Sequence, residues 1–225
     1  IQQVAGLKNK LLGGEGICSV SQWPVYDEAK CIDSTVELPV QVNGKLRGKM
    51  EVSKDATKEE ALAQAKEVLA SKIEGKTVLV IGGAGSIGSS FIKAILPFRP
   101  ATLVVVDTNE NALAELTRDL RSTKGMYVPE DYVTYPMDFS SPVFRKMFKS
   151  RGGFQIVGNF SAHKHVRSEK DIYSVEALLQ NNVLHAKGLL DLLAEYPPEE
   201  YFCVSTDKAA NPVNIMGASK RIMED

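Results

Sequence analysis

Thr77-Val78-Leu79-Val80-Ile81-Gly82-Gly83-Ala84-Gly85-Ser86-Ile87-Gly88 decides the fold. A short apolar, β-branched run breaks into glycines spaced three apart, Gly82, Gly85 and Gly88, and an apolar helical pattern runs from Ser89 to Leu96. The order is strand, phosphate loop, helix. A pyrophosphate sits against backbone N–H groups at a helix N-terminus, where the dipole favours negative charge and a Cβ would intrude. Glycine-rich turns also close ordinary loops, so a second signal is needed. It comes from Leu103-Val104-Val105-Val106-Asp107, another buried run, which ends in an acid near the roughly 20-residue offset where a carboxylate receives ribose hydroxyls. Asp107 repels a 2′-phosphate, so the pattern predicts NAD rather than NADP, held by Gly82, Gly85, Ser86, Ile87, Gly88 and Asp107.

Downstream, strands and helices alternate. Asn109 is placed to cap a helix carrying Leu113, Leu116 and Leu120, and Tyr132 to Tyr135 reads as a third strand. Asp138, just past that strand, either meets the adenine amino group or caps its own loop. Phe154 to Phe160 reads as a fourth strand, followed by His163, Lys164 and His165, histidines that alternate without an evident third ligand. They read as structural or substrate-facing, and no metal is expected. A long helix is predicted from about Asp171 to Glu195, with Asn181-Asn182 early in it and Pro197-Pro198 as its stop. A fifth strand, Tyr201 to Val204, delivers Ser205-Thr206-Asp207-Lys208 at its carboxyl end. Ser205 or Thr206 suits a cap, and Asp207 with Lys208 reads on residues alone as either a reactive pair or a salt bridge. The regular alternation argues an α/β fold with a doubly wound parallel sheet, whose ligands bind beyond the carboxyl ends of the strands.

Upstream, residues 1–16 form a short apolar helical pattern without recognisable chemistry. Val36 to Val42 alternates, Asn43-Gly44 is a strong hairpin signal, and Leu46 to Val52 is the return strand. Thr57 with Glu60 makes a capping box before a helix whose Ala61, Leu62, Ala65, Val68 and Leu69 recur on one face, so a helix packed on a hairpin is expected. Lys45, Arg47 and Lys49 share a face of a regular strand, either as phosphate contacts or as a solvated, charge-protected edge.

The 225 residues suffice for one large domain or two smaller ones, and 27 Lys and Arg against 28 Asp and Glu leave a net charge of -1. That balance calls for neither nucleic acid nor membrane as a bulk partner. No apolar run approaches the roughly 18 to 20 residues that span a bilayer, and no signal peptide opens the chain, so a cytoplasmic protein is expected. Cys18, Cys31 and Cys203 are odd in number and lack C-x-x-C spacing, which suggests neither a disulfide framework nor a zinc site. The chain begins at Ile1 and stops at Asp225 inside a helical pattern, so both ends are expected to be cut.

Two resemblances add to these readings. Trp23 to Ala29, Val40-Gln41-Val42-Asn43-Gly44-Lys45-Leu46-Arg47-Gly48-Lys49 and Asp55 to Ala61 resemble the C-terminal domain of bacterial leucyl-tRNA synthetase over about residues 11–77. In that family this α+β module helps hold tRNA, which implies tRNA contacts at Lys45, Arg47 and Lys49 and no catalysis. The glycine loop, Lys164-His165-Val166 and Ser205-Thr206-Asp207-Lys208-Ala209-Ala210-Asn211-Pro212-Val213-Asn214 through Lys220 resemble the CapD-like branch of the extended short-chain dehydrogenase/reductases over about residues 75–225. That branch holds nucleotide-sugar 4,6-dehydratases and epimerases. The resemblance implies Asp207 as the acid for loss of water, Lys208 as the base at sugar C5 and Lys220 as the lysine on the nicotinamide ribose. It implies sugar contacts at Lys164, His165 and Asn211, a UDP-N-acetylhexosamine-type substrate and a homo-oligomeric parent.

Met216 stands where the superfamily's tyrosine is found, four residues before the lysine; a thioether moves no proton, and Met216 marks the branch within the catalytic motif. The expected domains are 1–74, synthetase-like, and 75–225, the NAD-binding half of a dehydratase without its substrate lobe, joined as a chimera. Such a fragment is not expected to complete catalysis alone.

Overall fold

The computed structural model describes residues 35–42, 45–53, 56–162 and 171–224, with residues 35–42 and 45–52 at the level of the backbone. The chain divides into two compact units between Ala65 and Lys66. In the first unit, β1 (Thr35–Val42) pairs antiparallel with β2 (Lys45–Ser53), from Thr35 opposite Ser53 to Val42 opposite Lys45. The Asn43-Gly44 turn lies outside the described residues. Val40 faces Gly48 whereas Gln41 faces Leu46, so Arg47 is an extra residue in β2. Such a bulge interrupts the strict alternation expected to put Lys45, Arg47 and Lys49 on one face.

α1 (Lys58–Ile73) opens with the predicted capping box: the Thr57 N–H donates to Glu60 Oε2 at 2.8 Å, and the Glu60 N–H to Thr57 Oγ1 at 3.3 Å. None of its residues is fully buried.

The second unit is built on a five-stranded parallel sheet of β3 (Thr77–Ile81), β4 (Thr102–Asp107), β5 (Asp131–Pro136), β6 (Ile156–Asn159) and β7 (Glu200–Cys203), in the order β5-β4-β3-β6-β7. Helices cover both faces, which is why the central strands read as unbroken apolar runs. Leu79, Ile81, Val104, Val106 and Val157 point to one face, under α4 (Pro142–Ser150) and α6 (Ala186–Glu195). Val78, Val80, Leu103, Val105 and Ile156 point to the other, under α2 (Ser86–Ile95) and α3 (Glu110–Ser122). α3 starts as predicted, with Asn109 Oδ1 accepting the Ala112 N–H at 3.0 Å and Leu113, Leu116 and Leu120 buried.

α4 had a legible start signal, an N-cap serine followed by proline at N1: Ser141 Oγ accepts the Phe144 N–H at 3.2 Å. The single long helix expected over 171–195 is instead α5 (Ile172–Leu179), a π-helical segment (Gln180–His185) and α6. The widened turn carries Asn182, a buried amide that donates to Ser219 Oγ at 3.1 Å on α7 (Ile215–Glu224). The chain crosses from edge strand β5 to β6 on the far side of β3, so the strand order reverses between β3 and β6. In this architecture a ligand site forms beyond the carboxyl ends of those two strands.

Candidate functional site

β3 ends at Ile81 and the chain turns at Gly82, whose φ of 71° is the left-handed conformation that glycine tolerates. A Cβ at Gly82 would lie 2.6 Å from the Ser161 backbone nitrogen, and one at Gly88 would lie 2.4 Å from the Gly82 carbonyl oxygen. Both glycines are demanded by packing. Gly85 is different: its φ is -70°, and a Cβ there would meet only the Gly82 oxygen, at 3.4 Å. That is ordinary contact, so the missing side chain keeps open space at the cleft. Gly85 is also the N-cap of α2 and supplies no side-chain hydrogen bond to the first turn at Ser86, Ile87 and Gly88. Uncapped N–H groups at the positive end of a helix suit an anion. α2 starts at Ser86, three residues before the position that apolar spacing indicates.

Asp107 closes the loop from the neighbouring strand. Its Oδ2 accepts the Ala84 N–H at 3.0 Å and its Oδ1 the Asn109 N–H at 3.0 Å, and each oxygen keeps a further lone pair. A cleft of about 300 Å³ opens beside it, lined among others by Gly82, Gly85, Asp107, Asp138, Phe160 and Ser161. Asp138 caps its own loop, accepting the Ser140 N–H at 2.7 Å, and it also lines the cleft. Phe139, Phe160, Ser161 and Asn181 also line it and were not identified from sequence. The signal was available for three of them, since they follow directly on the carboxyl ends of the third and fourth strands.

β7 brings Ser205 to Lys208 to the carboxyl edge of the same sheet. Thr206 caps a 3-10 turn (Asp207–Ala209): its hydroxyl accepts the Lys208 N–H at 3.4 Å and donates to Asp207 Oδ1 at 2.9 Å. Asp207 Oδ1 also accepts the Lys208 N–H at 3.0 Å, and among the described residues no ion pair joins the two side chains. Both are exposed, as is Asn211 on the following loop. Met216 and Lys220, by contrast, are each only 3% exposed in α7. Lys220 Nζ donates to the Val204 carbonyl at 3.1 Å, and burial holds its pKa below the ordinary lysine range.

The structure therefore brings Gly82, Gly85, Asp107 and Asp138 together, with the first turn of α2 adjoining. It sets Asp207, Lys208 and Asn211 on loops after β7 and leaves Met216 and Lys220 inside the packing of α7, off the cleft lining. Lys164 and His165 lie outside the described residues. Lys45, Arg47 and Lys49 lie in β2, with only their backbone described. A groove of about 460 Å³ lies at the opposite ends of the strands, but its charges are already paired: Arg151 with Asp131, Glu195 with Lys149 and Glu199 with Lys76.

The chain is 34% identical over 154 residues to an uncharacterized membrane protein of Methanocaldococcus jannaschii, matching 66% of this chain and 41% of that one. It is 30% identical over 156 residues to the probable polysaccharide biosynthesis protein EpsC of Bacillus subtilis, 69% of this chain and 25% of that one. The chain thus spans less than half the length of either relative. A shorter match, 49% identical over 57 residues, covers 25% of this chain and 7% of leucine–tRNA ligase of Bdellovibrio bacteriovorus.

Among solved structures, the UDP-Glc/GlcNAc 4-epimerase of Campylobacter jejuni superposes with a TM-score of 0.56 at 20% identity, over 67% of this chain and 47% of that one. The Bordetella bronchiseptica enzyme WbmF in complex with NAD+ gives 0.52 at 19% identity, over 68% and 44%. These likenesses establish the fold, a Rossmann-type parallel sheet. Residues 78–225, well over half of the chain, match the profile of the polysaccharide biosynthesis protein family, and the chain belongs to that family.

Proposed function

We propose that residues 75–225 form the NAD-binding part of a nucleotide-sugar 4,6-dehydratase or epimerase, acting on a UDP-N-acetylhexosamine-type substrate, and that residues 1–74 form a separate α+β domain. The carrying observation is the open face at Gly85, at the uncapped start of α2, with the Asp107 carboxylate on the adjoining wall. Pyrophosphate fits the first turn of α2 and ribose hydroxyls fit Asp107, with Asp138 toward the adenine. The NAD+ complex of WbmF and the sugar nucleotide of the Campylobacter epimerase, though each belongs to another protein, favour the same cofactor and substrate class.

NAD+ bound there supplies the hydride acceptor that takes hydrogen from sugar C4 and returns it at C6. Around that exchange, the C4 hydroxyl proton passes to water, Lys208 takes the proton from C5 and returns it there as C6 is reduced, and Asp207 gives a proton to the C6 hydroxyl as it leaves as water. The resemblance gives Lys220 the nicotinamide ribose, which requires its Nζ to leave the Val204 carbonyl to which it donates, and Lys164, His165 and Asn211 contact the sugar nucleotide. Met216 moves no proton, which disfavours a cycle that depends on a phenolate at that position. Calorimetric titration of NAD+ into the chain tests the cofactor assignment. Saturable binding is expected, and Gly85→Val is expected to abolish it with little change in melting temperature. A folded wild-type chain that gives no heat of binding overturns the assignment.

A second reading is favoured by the 49% identity to leucine–tRNA ligase: Lys45, Arg47 and Lys49 of β2 meet tRNA phosphates. Binding of tRNA that weakens steeply with salt and is lost in the triple alanine variant supports it; binding indifferent to those substitutions sinks it.

A further inference from the structure

Two hydrogen bonds at the carboxyl end of β6 fix the chemistry of one wall of the cleft. Asn159, the last residue of β6, is 4% exposed, and Ser161 lines the cleft two residues later. Asn159 Oδ1 accepts the Ser161 backbone N–H at 3.0 Å and the Ser161 hydroxyl at 2.7 Å. A backbone N–H can only donate, so the amide atom facing it is the oxygen. That oxygen can only accept, so the hydroxyl proton of Ser161 is committed inward. The strand that carries the amide is held from both sides, with Asn159 pairing with Ile81 of β3 and Cys203 of β7. The anchor is therefore fixed from two strands.

With its proton turned inward, Ser161 has only lone pairs left for the cleft. The carboxylates of Asp107 and Asp138 line the same cleft and are acceptors too. Donors come from elsewhere on the cleft: the Thr108 hydroxyl, the Asn181 amide, and backbone N–H groups at the adjoining first turn of α2. The wall formed by Ser161, Asp107 and Asp138 is thus one that accepts.

We propose that Asn159 is a positioning residue that makes Ser161 an acceptor-only contact, so that this wall reads a ligand hydroxyl of the ribose class and disfavours phosphate oxygens. The proposal rests on the NAD-binding reading above and assigns part of its ligand specificity.

The test is calorimetric, with NAD+ and inorganic pyrophosphate as probes, on the wild-type chain, Ser161→Ala, Asn159→Leu and the double variant. Loss of one neutral hydrogen bond predicts about three- to tenfold weaker NAD+ binding by Ser161→Ala, with pyrophosphate binding unchanged. Asn159→Leu is expected to match it, and the double variant to be no weaker than either single one, since Asn159 acts through Ser161. NAD+ binding by Ser161→Ala equal to wild type overturns the proposal, as do additive losses in the double variant or an equal loss for pyrophosphate. If Asn159→Leu does not fold, the two probes on Ser161→Ala still decide the hydroxyl contact. Failure of the wild-type chain to bind NAD+ overturns the cofactor reading and this proposal together, and it shows before any variant is made.

Discussion

Asp107 Oδ2 accepts the backbone N–H of Ala84 at 3.0 Å, tying the acid at the end of β4 to the middle of the glycine loop after β3. The carboxylate therefore has two tasks. It faces the cleft with its remaining lone pairs, and it holds the loop that shapes the opposite wall. Oδ1 adds the Asn109 N–H at 3.0 Å, so the start of α3 depends on the same group.

Asp107→Asn should consequently weaken folding and binding together. An amide has one accepting oxygen for two N–H donors, and its NH2 must oppose the other. Leaving one partly buried donor unmet costs about 1 to 3 kcal/mol, and NAD+ affinity should fall at least about tenfold. Thermal melts beside calorimetry measure both. Wild-type values in either one contradict the double role.

Gly85 and Gly88 separate the two effects. A Cβ at Gly88 would collide with the Gly82 carbonyl oxygen at 2.4 Å, and that neighbour is backbone, which yields only by moving the turn. Gly88→Ala is expected to lower stability by about 1 to 3 kcal/mol, as overpacking does. Gly85→Ala, with its Cβ at 3.4 Å from the same oxygen, should melt close to wild type yet bind NAD+ more weakly. A Gly85→Ala chain that binds as wild type would show that the open face at Gly85 receives no ligand.

The parts of this fold legible from sequence are those written in local chemistry. Val78 to Ile81 and Leu103 to Val106 announce strands buried on both faces, and Thr57 with Glu60 announces a cap, because each signal is complete within a few residues. Ser161 was legible by its position after a strand, but Asn159 was silent. Its burial is visible only once β6 is paired between β3 and β7. The burial of Lys220 was silent for the same reason, since its Val204 partner comes from the chain segment after β7. The π-helical turn at Gln180–His185 is set by Asn182 reaching Ser219 on α7, again a contact between distant segments.

Lys220 gives a prediction in pH. Burial lowers its pKa in the folded chain, so the unfolded chain binds more protons between that value and about 10.4, the ordinary lysine value. Stability from this group therefore rises as pH climbs through the folded pKa and levels off above the unfolded one. Lys220→Met removes the buried charge and this dependence. The melting temperature of wild type relative to Lys220→Met should rise from pH 7 to pH 10. A difference independent of pH would mean that Lys220 is not carried as a buried ammonium.

Asp131 gives a slope of the same sign at the acid end. Arg151, at the C-terminus of α4, donates to Asp131 Oδ2 at 2.8 Å, and Thr102 Oγ1 donates to the same oxygen at 3.0 Å, so three elements meet at the start of β5. The Arg151 hydrogen bond is the main reason the Asp131 carboxyl lies below its ordinary pKa. A depressed carboxyl pKa adds stability that is full above the unfolded value of about 3.9 and is lost as pH falls through the folded one. With the Asp131 side chain 45% exposed, solvent screening limits the whole cluster to about 1 kcal/mol. Asp131→Asn should therefore melt a few degrees below wild type between pH 6 and 8, and the two curves should converge below about pH 4. Curves that stay parallel into acid would place the stabilisation in contacts that do not titrate, leaving the Arg151 pair without net effect.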